Sequence, residues 1–365
     1  MLKSITAQKR FRIEWSVAAS LPGEENKTHP GLAGAFAGWM DQSLLVAGGA
    51  NFPEKMPWEG GKKVYHQQVY LYQKKKNKWV CVNTAMMSSP KAYGASVNVP
   101  RGLVCIGGEN NDGISDEVFM LKMDELSGKI KEEMLPSLPV PLTNHAAVVF
   151  DRCIYVAGGE TNGRVSDEIY MLRLDKVSEG WKEAGILPVP LSHVVMLAHN
   201  NNIYLIGGRE KKATGISELH SQVWRYNPSA HQWTTIASLP YDLSAGAGIS
   251  YEGNMLLLGG DTGEVFHKTE MLIAAIAKET DLIKRDSLNE QKKELQLSHP
   301  GFSNRILMYD EQENKWKDTG VLPFAMPVTT TALLQKNRVW IISGEIRAGV
   351  RTPDILEGKI IKNGH

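Results

Sequence analysis

The chain of 365 residues is poor in the features that usually sort a protein quickly. It has three cysteines, Cys81, Cys105 and Cys153, an odd number set in strand-like runs, which reads as buried free thiols and not as a disulfide framework. Forty-one basic against 40 acidic residues leave a net charge of +1, which argues against nucleic acid or an anionic membrane as the main partner. No stretch is long and apolar enough to cross a membrane. Residues 1–20 carry Lys3, Lys9, Arg10, Arg12 and Glu14 and lack an apolar signal-peptide core, so the chain as written reads as cytoplasmic; removal of a signal would make it periplasmic. H-E-x-x-H and paired-cysteine spacings are missing, so neither a metal nor a cofactor is expected.

What the chain does have is repetition. Gly48-Gly49, Gly107-Gly108, Gly158-Gly159, Gly207-Gly208 and Gly259-Gly260 each end an apolar run, 49 to 59 residues apart, and a degenerate sixth copy ends at Ser343-Gly344. Trp15, Trp181, Trp233 and Trp316 each precede a Leu-Pro pair by six residues, and from Pro139, Pro188 and Pro240 the next glycine pair begins 19 residues on. A period near 50 with this internal phasing is the signature of kelch-type propeller blades. Each unit reads as Leu-Pro, strand a, strand b ending in Gly-Gly, strand c, and strand d carrying Trp. Blade two departs from it, with Glu132 where Trp is expected.

The expected fold is therefore all-β: one six-bladed kelch-type propeller spanning residues 1–365. The last unit lacks a C-terminal Trp strand, while residues 11–19 form an orphan strand before Leu21-Pro22. Placing that segment as the outer strand of the last blade closes the ring and removes free sheet edges.

In a four-stranded up-and-down blade, the b–c loops and d–a connections share one face. The b–c loops are expected to carry Asn51, Glu109, Glu160, Arg209, Asp261 and Glu345 around one rim of the channel. The d–a connections bring Lys91, Tyr93, Asn144, His145, Ser192 and His193 to the same mouth. His145 and His193 read as equivalent positions of blades three and four, placed to bond sugar hydroxyls or assist proton transfer. Two b–c loops are long: residues 50–66 in blade one and 261–304 in blade five. The second has helix formers with apolar residues at Met271, Leu272, Ala275 and Leu282, and reads as an insert over the channel mouth. Its charged run from Lys284 to Glu294 reads as a solvated helix face.

Several segments resemble the N-acetylneuraminate epimerases, or sialic acid mutarotases: GLAGAFAG (31–38), SLLVAGGANFP (43–53), GGKKVY (60–65), KAYGASV (91–97), CIGGEN (105–110) and SGEIRAGVRTPDI (343–355). The most specific is G-E-x-x-x-G-x-R-T at Gly344–Thr352. It comes last here, whereas in better-known members it precedes the segment like 31–53, so the chain resembles a cyclically permuted branch. The resemblance implies conversion of α- to β-N-acetylneuraminate, with Glu345 and Arg351 as the essential pair. Epimerisation at an anomeric carbon opens the ring: one group takes the anomeric hydroxyl proton while another protonates the ring oxygen. A carboxylate tuned towards neutrality can do this, and an Arg fork can hold the carboxylate of the sugar acid. The remaining candidates for binding the sugar are Asn51, Lys91, Tyr93, Glu109, Asn144, His145, Glu160, His193 and Arg209. The expected partner is a small sugar acid, and both a monomer and a homodimer fit the sequence. Two other readings stand beside this one. A copper-radical oxidase would need a Tyr–Cys cross-link near His ligands. A non-catalytic kelch module would bind a glycan or protein without chemistry.

Overall fold

A computed structural model describes residues 11–23 and 27–362. Strand-forming runs pair into six antiparallel four-stranded sheets. The first blade comprises Phe36–Met40, Ser43–Ala47, Gln68–Lys75 and Lys78–Met86, and the next four repeat this order. The sixth sheet joins both ends of the chain: Thr331–Gln335, Arg338–Arg347 and Val350–Lys362 are completed by Phe11–Ser20. The first strands of neighbouring blades touch one another, so they form the inner wall of the ring.

The core lies between blades. Blades three and four enclose Tyr155, Ile169, Leu205 and Trp224; blades five and six enclose Leu256, Leu258, Ile341 and Leu356. At the seam between the last and first blades, Trp340 is fully buried against Trp39 and Trp79, with ring centroids 5.3 and 4.9 Å away. The recurrent Leu of each Leu-Pro pair is a plug. Leu21, Leu138, Leu187, Leu239 and Leu322 are all buried, and their amides bond carbonyls at or just ahead of the start of strand c (Pro353, Asp116, Asp167, Ser221 and Asn304).

Three tryptophans tie their blades to the preceding one. The indole N–H groups of Trp181, Trp233 and Trp316 donate to the carbonyls of Pro136, Ile186 and Ala237 in the preceding blade, at 2.8–3.0 Å. In blade two the tie reverses polarity: Glu132 accepts from the Ser88 amide (3.0 Å) and hydroxyl (2.7 Å). The three cysteines are free thiols; Cys105 is buried, while Cys81 and Cys153 are half-buried.

The first glycine of each pair is required by geometry. Gly48, Gly107, Gly158 and Gly207 have φ of 56–64°, and an added Cβ would meet a carbonyl oxygen of the next d–a connection at 2.2–2.5 Å. Ser343 takes this place in the last blade, also with positive φ (48°), and its Oγ donates to the Leu32 carbonyl at 3.0 Å.

The closing strand is held by more than its ladder. Trp15 stands directly opposite Gly358, and a Cβ on that glycine would meet the indole at 2.8 Å. The ring thus covers a glycine gap in its neighbour strand. Trp15→Ala should destabilise the fold by about 2–3 kcal/mol, less than a fully buried aromatic would cost. A urea titration would show a lower midpoint at unchanged slope; an unchanged midpoint would mean the strand does not close the ring.

Candidate active site

Six residues of the d–a connections line one end of the channel: Gly34, Tyr93, Asn144, His193, Ala245 and Thr329. Each lies 14 positions before the first residue of a glycine pair or of Ser343-Gly344. All six have positive φ, from 49° at Thr329 to 63° at Gly34. Main-chain bonds run from blade to blade through them: Gly34 donates to Thr329, Tyr93 to Gly34, Asn144 to Tyr93, His193 to Asn144 and Ala245 to His193, at 2.7–2.9 Å. Left-handed backbone at Tyr93, His193, Ala245 and Thr329 costs on the order of 1 kcal/mol each, which the surrounding ring must offset.

Just outside this belt, six residues after the glycine pairs bridge back to it: Ala50, Glu109, Glu160, Arg209, Asp261 and Glu345. The rim position in blade one is thus Ala50, one residue before Asn51. Asn51 is buried, with its amide donating to the Gly31 carbonyl at 2.9 Å and its oxygen 2.8 Å from His66 Nε2. It braces the loop.

Glu345 and Arg351 face each other across the hairpin of Arg338–Arg347 and Val350–Lys362. An Arg351 Nη2 sits 2.8 Å from Glu345 Oε2, Nη1 donates to the Gly349 carbonyl at 2.5 Å, and the Gly349 amide donates to Glu345 Oε1 at 3.1 Å. Phe52 covers the guanidinium at 4.7 Å. Arg351 is buried, whereas the Glu345 side chain keeps 20% exposure and is recessed yet reachable. Burial pushes the Glu345 carboxyl above its ordinary 4.5; Arg351, the Gly349 amide and Lys63 oppose that rise, and Asp261 adds to it. Asp261 is itself raised, first by burial, with the Gly263 amide and Arg209 among the groups that oppose the rise.

Two further clusters stand on the rim. Glu109 accepts from the Tyr65 hydroxyl at 2.7 Å, with Lys63 Nζ at 3.4 Å; the same ammonium lies 4.8 Å from the centre of the Tyr93 ring. Glu160 accepts from Arg209 Nη2 and the Ser192 hydroxyl, both at 2.9 Å, and His193 Nδ1 is 3.7 Å away. Desolvation pushes the Glu160 carboxyl up, but His193, Arg209 and Ser192 together hold it below its ordinary value.

Two expectations need correction. His145 and His193 are not equivalent: the partner of His193 in blade three is Asn144, and His145 is one residue further on, beside Val194 in the cavity lining. Lys91 does not serve the mouth. It fills a place held by Leu32, Leu142, Leu191 and Leu243 elsewhere, is buried, and its ammonium bonds Ser115 (3.0 Å) and Glu117. The expected helical insert of blade five is a pair of helices, α1 (Glu264–Lys278) and α2 (Leu282–Leu297), the second capped at Asp281, whose carboxylate accepts from the Ile283 and Lys284 amides. Leu282 therefore starts α2 and is exposed. Helix α1 packs on the rim hairpin of blade four. Glu270 accepts from the Ser217 amide and hydroxyl at 2.8 and 2.7 Å, and Phe266 lies 4.9 Å from the Arg209 guanidinium. Lys63 and Tyr65 had no repeat position to single them out within the long loop. Among the described residues, no three His, Cys, Asp or Glu side chains converge as metal ligands would.

A family model for N-acetylneuraminate epimerase matches residues 2–130 and 135–365. The chain belongs to the N-acetylneuraminate epimerase family. Similar curated proteins include N-acetylneuraminate epimerases from Haemophilus influenzae (strain PittEE), 27% identical over 231 residues, and Yersinia enterocolitica, 30% identical over 235 residues. These alignments take in 63% and 62% of this chain and 60% and 58% of the relatives, so the match spans about three fifths of their length. A solved structure titled "Structure of YjhT" has the same fold, with a TM-score of 0.65 at 14% identity, covering 95% of this chain and all of that one. No helix among the described residues is long and apolar enough to cross a membrane.

The site of this family member holds two neutral imidazoles. Burial depresses His145 to about 4; for His193, burial and then Arg209 depress it to about 3 against the pull of Glu160. Both values lie below the ordinary 6.5, so folding disfavours protonation. This stability is complete above pH 6.5 and is lost as pH falls from there towards about 4 for His145 and about 3 for His193. Histidine NMR signals should show neither ring titrating above roughly pH 5; a midpoint near 6.5 for either would mean that its pocket is open to water.

Proposed function

We propose that the protein is a mutarotase that interconverts the α- and β-anomers of N-acetylneuraminate by acid/base-assisted ring opening. The observation that carries this reading is the Glu345–Arg351 pair at the channel mouth, 2.8 Å apart on the hairpin that bears G-E-x-x-x-G-x-R-T. Glu345 is the proton-transfer group. As the anomeric hydroxyl loses its proton to the carboxylate, the ring C–O bond breaks and the ring oxygen takes up a proton through a water. Rotation about the adjacent bond and the reverse transfers close the ring on its other face. A carboxyl raised towards neutrality suits both directions.

Arg351 acts through Glu345. Its two terminal nitrogens are taken by Glu345 and the Gly349 carbonyl, and Phe52 lies over its face. It orients the carboxylate and moderates the rise in its pKa, in place of the expected grip on the sugar. Tyr93, Asn144 and His193 from the belt, with Glu109, Glu160 and Arg209 from the rim, supply hydrogen-bonding groups for the hydroxyl and acetamido groups. Lys91 and Asn51 act as framework. The helical pair α1 and α2, braced on blade four, serves as a cover that limits water at the mouth.

Anomer exchange in freshly released α-N-acetylneuraminate, followed by proton NMR, tests this. Glu345→Gln should lower kcat by about 10²–10⁴-fold with sugar binding retained. In the wild type kcat should fall as pH drops through the Glu345 pKa, with a midpoint above 4.5, and that limb should vanish in the variant. Arg351→Lys should lower kcat by about tenfold or more at little change in KM, because the fork that fixes the carboxylate is lost. Wild-type exchange no faster than the spontaneous rate would refute the mutarotase assignment.

A further inference from the structure

The mutarotase reading requires a cation for the carboxylate on the reacting carbon, and Arg351 is spent. Its Nη atoms are bonded within the hairpin, its Nε is buried without a partner, and Phe52 lies over the guanidinium. Turning it to a ligand would strip Glu345 of its counter-ion in a recessed site, a costly exchange. Arg209 is committed too, with Nη2 on Glu160, Nε at 3.5 Å from Ser192, and its face against Phe266. Lys91 is buried on Glu117.

Lys63 differs from all of these. It rises from the long loop of blade one, its side chain is 35% exposed, and its contact with Glu109 is loose at 3.4 Å. Its ammonium hangs over the Tyr93 ring, which lines the channel, and acts on the Glu345 carboxyl from outside the hairpin. If it turns to a ligand, Glu109 is left with its 2.7 Å bond from the Tyr65 hydroxyl and is not stranded. A lysine on a flexible stem also suits a carboxylate that must move as the ring opens, since it binds as a point charge without a fixed plane.

We propose that Lys63 receives the carboxylate of the sugar acid and makes the site select acidic over neutral sugars. This rests on the mutarotase reading for the identity of the ligand. The test compares binding of N-acetylneuraminate and its neutral C1 methyl ester by calorimetry, in the wild type, Lys63→Met and Lys63→Arg. Lys63→Met should weaken binding of the acid by about 10- to 100-fold and leave the ester within about twofold, the range expected for one charged hydrogen bond. Lys63→Arg should recover most of the loss, which a merely structural defect of the loop would not allow. Unchanged acid affinity in Lys63→Met, or an equal loss for acid and ester, would overturn the assignment. A wild type that binds the acid without accelerating anomer exchange would remove the mutarotase reading and leave the Lys63 assignment standing. A wild type that binds neither ligand would overturn both.

Discussion

The close approach of main chain at the first four glycine pairs is the contact on which the molecule depends. There a d–a carbonyl lies where a side chain would start, and the glycine amide that follows bonds back to the same connection, as Gly49 does to Lys91 and Gly108 to Leu142. That contact pins one blade to the next and sets the depth at which each connection crosses the channel. The left-handed belt from Gly34 to Thr329 follows from it, because a chain held so tightly at both sides has to reverse within one residue. A ring assembled this way presents one residue from each blade at the same level, and this builds a site from all six.

Closure is the second constraint. Each blade buries apolar surface only against its neighbours, so the first and last must meet or leave two faces bare. The strand Phe11–Ser20 completes the last sheet, and Trp340, Trp39 and Trp79 pack at the seam. The elongated hairpin of this same blade carries Glu345 and Arg351 beyond the sheet to the rim. The blade that locks the ring is also the blade that projects the proton-transfer pair.

Around the mouth, charges are paired locally instead of being gathered into one field: Glu345 with Arg351, Glu160 with Arg209, and Glu109 with Tyr65 and Lys63. Their environments diverge. Glu160 has enough donors to stay ionised, whereas Glu345 is raised because burial outweighs its partners. Two carboxylates at equivalent places of one ring can therefore do different work, one holding a ligand and the other exchanging a proton.

Local pattern in the sequence was enough to determine the blade count, the strand order and the two long loops, since each blade repeats the same local contacts at the same spacing. It also brought Glu345 and Arg351 together, six apart on one loop, and placed Glu109, Glu160 and Arg209 on a common rim. It failed where one residue of register mattered. Ala50 and not Asn51 stands on the rim, and Asn144 rather than His145 pairs with His193, because a shift of one puts a different residue at the equivalent place while leaving the pattern of types intact. The fate of Lys91 was settled by Ser115 and Glu117, brought beside it from blade two. Lys63 and Tyr65 gained their place only when a loop with no period folded back over Glu109 and Tyr93. Periodic local contacts are written in spacing, but a charge takes its role from whatever partner the closed ring sets within a few ångströms of it, and only the tertiary structure decides that partner.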